Sequence, residues 1–172
     1  MESLQNHIVT SSSSTLKEKI WQVLADVTDP EVPVLTILDL GIVRDVSLEN
    51  EIPVITITPT YSGCPAMDMI SMNIRMAMLE SGFQNIKINT ILSPAWTTDW
   101  MTEAGKEKLK AYGIAPPVGK IFDEQLLEAT PIQCPQCDSW NTRLVSEFSS
   151  TACKAFYVCN DCKEPFDHFK CH

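Results

Sequence analysis

The chain has 172 residues, 44% of them hydrophobic, and a formal net charge of −9, which suits one globular domain with a small appendage. The acidic balance weighs against nucleic acid and anionic membranes as partners, and no stretch reaches the roughly 18 uncharged apolar residues of a membrane span. Met1 to Ser14 has neither the basic start nor the apolar run of an export signal, so a cytoplasmic protein is expected.

In chain order, residues 1–14 form a Ser-rich tail expected to be disordered. Thr15 and Glu18 make a capping box, and Leu16, Ile20, Leu24 and Val27 then recur on one face of a helix that should stop near Asp29-Pro30. The Pro-punctuated stretch Asp29-Pro-Glu-Val-Pro33 and the following Ile37-Leu-Asp-Leu-Gly41 read as a structured loop. Two strand-like runs, Ile42 to Leu48 and Ile52 to Thr60, flank Glu49-Asn50-Glu51, a spacing that predicts an antiparallel hairpin. Met67, Ile70, Ile74 and Met78 give a second helix, which Gly82 should end. Asn85 to Leu92 alternates as a third strand, and a helix between two strands implies that it lies parallel to its neighbour. Trp96 to Tyr112 is expected as one last helix, capped by Thr97 or Thr98 and ended by Gly113. Ala115-Pro-Pro117 marks the boundary, residues 118–131 a linker, and residues 132–172 a β-rich metal ribbon. The fold class is therefore α+β: a small two-layer α/β domain with a mixed three-stranded sheet over residues 15–117, followed by the ribbon.

Four of the seven cysteines form two Cys-x-x-Cys pairs, Cys134 with Cys137 and Cys159 with Cys162. That pattern belongs to a tetrahedral thiolate metal site rather than to a disulfide framework, and it implies a reducing compartment. Leu144 to Phe148 and Ala155 to Val158 can form the strands between the two pairs. So small a module buries too little apolar surface to fold alone, which makes the metal a structural clip. Zinc is preferred over iron or a redox pair, although four thiolates also suit iron. The ribbon's Arg143, Lys154, Lys163 and Lys170 face Asp138, Glu147, Asp161, Glu164 and Asp167, so it lacks the basic stripe of a DNA-reading finger. Cys153 reads as core, Cys171 stays open, and His168 and His172 read as surface or packing residues because four thiolates already complete the shell.

Cys64 lies where a strand ends and a helix begins with Pro65 in its first turn. The helix dipole and free backbone N–H groups there favour thiolate. No histidine is near it in sequence to act as a base, so covalent hydrolytic catalysis is not expected. A buried structural cysteine and a ligand for a soft metal or cluster both remain open. Asp29, Glu31 and Asp39 could add oxygen ligands or a proton acceptor beside it, with solvated turn carboxylates as the alternative. Met67, Met69, Met72, Met76 and Met78 are expected to pack in the core rather than to bind copper.

Asp29-Pro-Glu-Val-Pro33, Ile37-Leu-Asp-Leu-Gly-Ile-Val43 and Thr58-Pro-Thr-Tyr-Ser-Gly-Cys-Pro65 resemble the iron-sulfur assembly factors related to SufT. Ser93-Pro-Ala-Trp-Thr-Thr-Asp-Trp-Met101, Cys134-Pro-Gln-Cys137, Ser150-Thr-Ala-Cys-Lys-Ala155 and Glu164-Pro-Phe-Asp-His-Phe-Lys-Cys-His172 resemble the PaaD subunit family of phenylacetate degradation. The resemblance implies an accessory, non-catalytic role: maturation of the 1,2-phenylacetyl-CoA epoxidase system by iron or iron-sulfur insertion, with a non-catalytic structural adaptor as the alternative. It implies that Cys64, Asp29, Glu31 and Asp39 handle a transient cluster. It implies epoxidase components as partners, above all the iron-sulfur reductase subunit, and it is compatible with a homodimer.

Overall fold

The structure is a computed structural model that describes residues 5–118 and 131–170, with side chains from Ser14 onward. Most of the expected linker, together with Cys171 and His172, lies outside the described residues. Helix α1 (Gln5–Ala25) starts ten residues before the expected capping box, so most of the segment read as a disordered tail is helical. No Gly or Pro interrupts Gln5 to Ser14, and serine's modest helix propensity does not stop a helix whose later turns are packed. Ile20, Leu24 and Val27 are buried on the expected face.

Strands β1 (Val43–Glu49) and β2 (Ile52–Ile57) form the antiparallel hairpin. Glu49 pairs with Ile52, leaving a two-residue turn in which Asn50 and Glu51 both have positive φ, 49° and 65°, the twist that a tight hairpin needs. Helix α2 (Ala66–Glu80) crosses to β3 (Lys87–Thr90), which runs parallel to β2, giving a mixed sheet of order β1-β2-β3. Ile20 and Leu24 of α1, Ile70, Ile74 and Met78 of α2, and Val46, Ile55 and Ile57 of the sheet share one core. The methionines divide. Met78 is buried and Met67 packs against the core, but Met69, Met72 and Met76 are each more than half exposed. They lie on the outer face of α2, which the described residues leave uncovered, so the expectation of a wholly core role is corrected.

The expected helix from Trp96 to Tyr112 is broken in two. A 3-10 turn (Thr98–Trp100) is capped by Thr97, and helix α3 (Glu103–Tyr112) begins afresh with the Thr102 hydroxyl accepting from the Gly105 N–H at 2.9 Å. Trp96 points away from that line: its ring is buried and its Nε1–H donates to the Leu40 carbonyl at 2.8 Å. Gly113, at φ 91°, ends α3 as expected.

The second sheet has order β4-β7-β6-β5 and comprises β4 (Ile114–Ala115), β5 (Thr142–Ser146), β6 (Lys154–Cys159) and β7 (Pro165–Phe169). The sequence patterns foreshadowed β5 and β6 but neither β7 nor the parallel pairing of β4 with β7. β4 belongs to the stretch assigned to the first domain, so the two parts share a sheet edge rather than meeting only at a tether. Phe169 at the end of β7 sets its ring edge-on to Trp96, centroids 6.3 Å apart, and joins the core of the first part. Among the described residues no helix is long and apolar enough to cross a membrane.

Two predictions concern this frame. Gly41 has φ 66°, and a Cβ there would lie 2.3 Å from the Trp100 carbonyl oxygen. Gly41→Ala should therefore cost about 2 to 4 kcal/mol, read as a lowered urea midpoint, through the left-handed strain and the forced backbone shift. His168 on β7 is buried, and neither ring nitrogen has a hydrogen-bond partner among the described residues. Burial, helped by the Lys170 charge, pushes its pKa down to about 4, against a slight opposing pull from Pro116. The unfolded chain thus takes up the proton first: stability is complete above pH 6.5 and falls as the pH drops towards 4, by about 3 kcal/mol in all. His168→Phe should flatten that part of the profile in thermal melts of equally zinc-loaded protein, and an unchanged slope would refute the assignment.

Candidate functional site

Two cysteine sites stand out, one in each part of the chain. In the ribbon, Cys134, Cys137, Cys159 and Cys162 converge so that all four sulfurs lie within 4.8 Å of one another. Cys134 and Cys162 are separated by 3.7 Å between sulfurs, Cys137 and Cys159 by 3.6 Å. A tetrahedral metal with metal–sulfur bonds of about 2.3 Å sets sulfur–sulfur edges of about 3.8 Å, so the residues fit a four-thiolate centre.

The two knuckles have matching backbones. Asp138 and Lys163, each following the second cysteine of its pair, have φ 59° and 68°. The Asp138 N–H donates to the Cys134 carbonyl at 3.0 Å and the Lys163 N–H to the Cys159 carbonyl at 3.1 Å. Burial opposes ionisation of Cys159, but the N–H groups of Cys162 and Asp161, together with the Cys162 and Cys137 thiols, outweigh it and bring the thiol to about 7. The Glu164 N–H acts likewise on Cys162, where burial and the neighbouring sulfurs nevertheless push the thiol up. Such N–H groups disperse the charge of bound thiolates. Across the two knuckles, Asp161 accepts from the Ser139 hydroxyl and from Asn141 Nδ2 at 2.8 Å.

The second site is built around Cys64. After β2 ends, Gly63 at φ 89° turns the chain so that Cys64 and Pro65 lead into α2. The Cys64 thiol is half-buried, and its pKa is raised, contrary to the expectation from the helix terminus. The cause is burial first. The Ala66 N–H and the Thr60 side chain pull the other way, as a helix start should, but the charges of Glu31 and Asp29 reinforce burial. Without a cation the group is a neutral thiol, and a bound metal would invert that balance.

The loop between α1 and β1 carries the acidic residues. Asp29 is buried, and its Oδ1 accepts from the N–H groups of Glu31 and Val32, both at 2.8 Å, folding the Asp-Pro-Glu-Val turn around itself. Burial raises its pKa against those two bonds and the Lys154 charge. Asp39 is differently placed. Its carboxylate accepts from the Thr36 N–H at 2.9 Å, the Thr36 and Thr102 hydroxyls at 3.0 and 3.2 Å, and Lys108 Nζ at 2.6 Å. Burial works against ionisation there, but Lys108 and Thr36 together hold the carboxyl below its ordinary value. Asp29 and Glu31 thus bear on Cys64, while Asp39 is occupied in fastening the loop to α3.

One residue near this site looks like nothing but core in the sequence. Cys153, from the ribbon, is buried, and its thiol faces Glu31 Oε2 at 3.8 Å. Nothing local in Ser150-Thr-Ala-Cys-Lys-Ala155 signals that approach, because it depends on how the two parts dock.

Comparison with known proteins agrees with this two-part construction. Residues 17–83 match the family described as iron-sulfur cluster assembly protein, and residues 121–170 match the PaaD zinc beta ribbon domain. An Escherichia coli protein provisionally named as a component of 1,2-phenylacetyl-CoA epoxidase is 52% identical over 89% of this chain and 92% of its own. An Fe-S protein maturation auxiliary factor from Porphyromonas gingivalis is 35% identical over 51% of this chain and 84% of its own. A solved domain of unknown function from Bacillus anthracis superposes with a TM-score of 0.54 and 29% identity, covering 58% of this chain and 96% of that one.

The sulfur tetrahedron is directly testable. Cys134→Ser or Cys159→Ser should reduce bound zinc from one equivalent to a small fraction and open the ribbon to protease, since structural four-ligand sites carry about 10 to 16 kcal/mol of apparent binding energy. Full zinc stoichiometry in both variants would show that the ligands lie elsewhere.

Proposed function

The chain belongs to the PaaD family of 1,2-phenylacetyl-CoA epoxidase components, and on that premise we propose that it is a cytoplasmic accessory factor, without catalytic activity of its own, that delivers iron or an iron-sulfur cluster to the epoxidase system. The observation that carries this reading is Cys64 at the β2–α2 junction with Glu31 and Asp29 acting on it. A thiol beside two carboxylates suits a borderline-soft cation such as ferrous iron. Iron or the cluster is cargo here: Cys64 supplies sulfur, Asp29 and Glu31 supply negative charge and proton acceptors, and Asp39 holds their loop in position. As the cargo binds, the Cys64 thiol passes its proton to solvent or to a nearby carboxylate, and the sulfur takes the cation.

On the same reading Cys134, Cys137, Cys159 and Cys162 hold a structural zinc in a ribbon domain that follows the assembly domain. The partners are epoxidase components, first among them the one that carries the reductase's iron-sulfur cluster, and a second copy of this chain is compatible with the site. The names of its relatives support the assignment: maturation auxiliary factors match the first part of the chain, and an epoxidase component matches nearly all of it. A second reading, a non-catalytic adaptor within the epoxidase complex, is favoured by the exposed Met69, Met72, Met76 and Leu79 along α2, an apolar surface of the kind that contacts other proteins.

Cys64→Ser separates the two. In cells growing on phenylacetate the variant should stay folded and retain zinc, yet growth should slow several-fold and the reductase should be purified without its cluster. An adaptor would leave the cluster filled and lose complex assembly instead. Normal growth with fully loaded reductase under iron limitation would rule out the maturation role.

A further inference from the structure

Met69, Met72, Met76 and Leu79 follow one another along α2 at intervals of three, four and three residues. An alternation of three and four averages about 3.5 residues, the rhythm of the seam along which two helices pair side by side. Met69 and Met76 take one of the two alternating seam positions, Met72 and Leu79 the other. Each of the four side chains is between 51% and 59% exposed, while Ile70, Ile74 and Met78 already fill the core on the opposite side of the helix. A helix that is apolar on both sides needs cover on both. The flanks of the stripe are charged. Arg75 stands just before Met76 and Glu80 just after Leu79, both exposed, and neither has an ion pair among the described residues. Within α2 no opposite charge lies three or four residues from either of them, so the helix itself leaves both unmatched.

We propose that the occupant of this stripe is a second copy of the chain: two α2 helices lie parallel along the stripe, and Arg75 of each protomer pairs with Glu80 of its partner. The charges that flank a parallel seam meet across it at an offset of five residues, which is the spacing from Arg75 to Glu80. Twofold symmetry forms that pair twice, once on each side of the seam. An antiparallel arrangement would instead set Arg75 against Arg75 of the partner, two like charges at one crossing. Self-complementarity of charge therefore favours a second copy over a different protein, and the parallel orientation over the reverse. Unbranched methionines suit such a contact, because each can adjust to its own mirror position across the axis. Four apolar side chains per protomer make an interface at the small end of specific ones, and the net charge of −9 on each copy opposes it. The dimer is thus weak and depends on concentration. Its parallel register carries both α2 N-termini, and the Cys64 that precedes each, to the same end of the pair.

The test is sedimentation equilibrium of the full chain, loaded with zinc and kept under reductant so that no disulfide joins the copies, over a hundredfold range of micromolar concentration. Wild type should pass from monomer to dimer within that range. Met72→Glu and Met76→Glu, both at exposed positions, should keep the fold and the zinc and weaken dimerisation about 10-fold or more, because each sets two charges into the seam. Arg75→Glu and Glu80→Arg each place like charges across the seam twice and should weaken the dimer several-fold alone. Mixed together, those two variants should associate with each other as well as wild type does, since every crossing then joins opposite charges. An unaltered dimer in both Met72→Glu and Met76→Glu would put the contact elsewhere and overturn the proposal. Loss of the dimer in those variants with no recovery in the charge-reversed mixture would overturn the parallel register. A wild type that stays monomeric throughout would overturn the second copy as occupant and leave the stripe to a different protein. None of these outcomes bears on Cys64, whose role the cellular assay decides separately.

Discussion

The Asp39 carboxylate is the tie on which the arrangement depends. It gathers the Thr36 N–H, two threonine hydroxyls and the Lys108 ammonium, while the Asp39 carbonyl accepts from the Thr102 N–H at 2.9 Å. One residue thereby joins the acidic loop to the N-terminus of α3. Helix α3 runs into Gly113 and then β4, whose pairing with β7 sets the ribbon against the first part. The chain of dependence runs from Asp39 through α3 to the sheet edge, and from there to Cys153. A buried acceptor with this many donors is costly to disturb, because losing it strands several polar groups together.

Elements stabilised by their own periodicity were legible in the sequence. The apolar face of α1 around Ile20 and Leu24, the hairpin about Asn50 and Glu51, and the parallel return through α2 follow from spacing and turn residues alone. The paired Cys-x-x-Cys motifs were equally legible, since tetrahedral thiolate sites leave a fixed local signature. Features set by contacts between distant segments were hidden. The break before α3 reflects Trp96 being drawn to the Leu40 carbonyl. β4 is only two residues long and gains its identity from β7. The outward face of α2 carries methionine at helical spacing beside Ile70 and Ile74, and that spacing suggested core for Met69, Met72 and Met76, which lie on the opposite, exposed face.

The state of Cys64 teaches a similar lesson about competing effects. A helix start favours thiolate, and the Ala66 N–H does act in that direction. Half-burial next to Glu31 and Asp29 is stronger, and neither carboxylate is close to Cys64 in sequence. Without a cation the Cys64 thiol therefore stays protonated, a state that resists nucleophilic side reactions. In the ribbon the opposite holds for Cys159, where two backbone N–H groups and the neighbouring Cys162 and Cys137 thiols together overcome burial. Within the ribbon the thiols do not behave alike, since Cys162 in the same cluster, against the pull of the Glu164 N–H, is pushed up by burial and the neighbouring sulfurs.

The short parallel pairing of β4 with β7 has an entropic consequence. A ribbon joined only by a flexible tether would present its surface to the first part at an effective concentration in the millimolar range. With β4 as part of the ribbon's own sheet and Phe169 seated against Trp96, the translational and rotational freedom of the ribbon is given up once, during folding. Any ligand that later touches both parts meets surfaces already in register, and its affinity is not reduced by the cost of bringing them together.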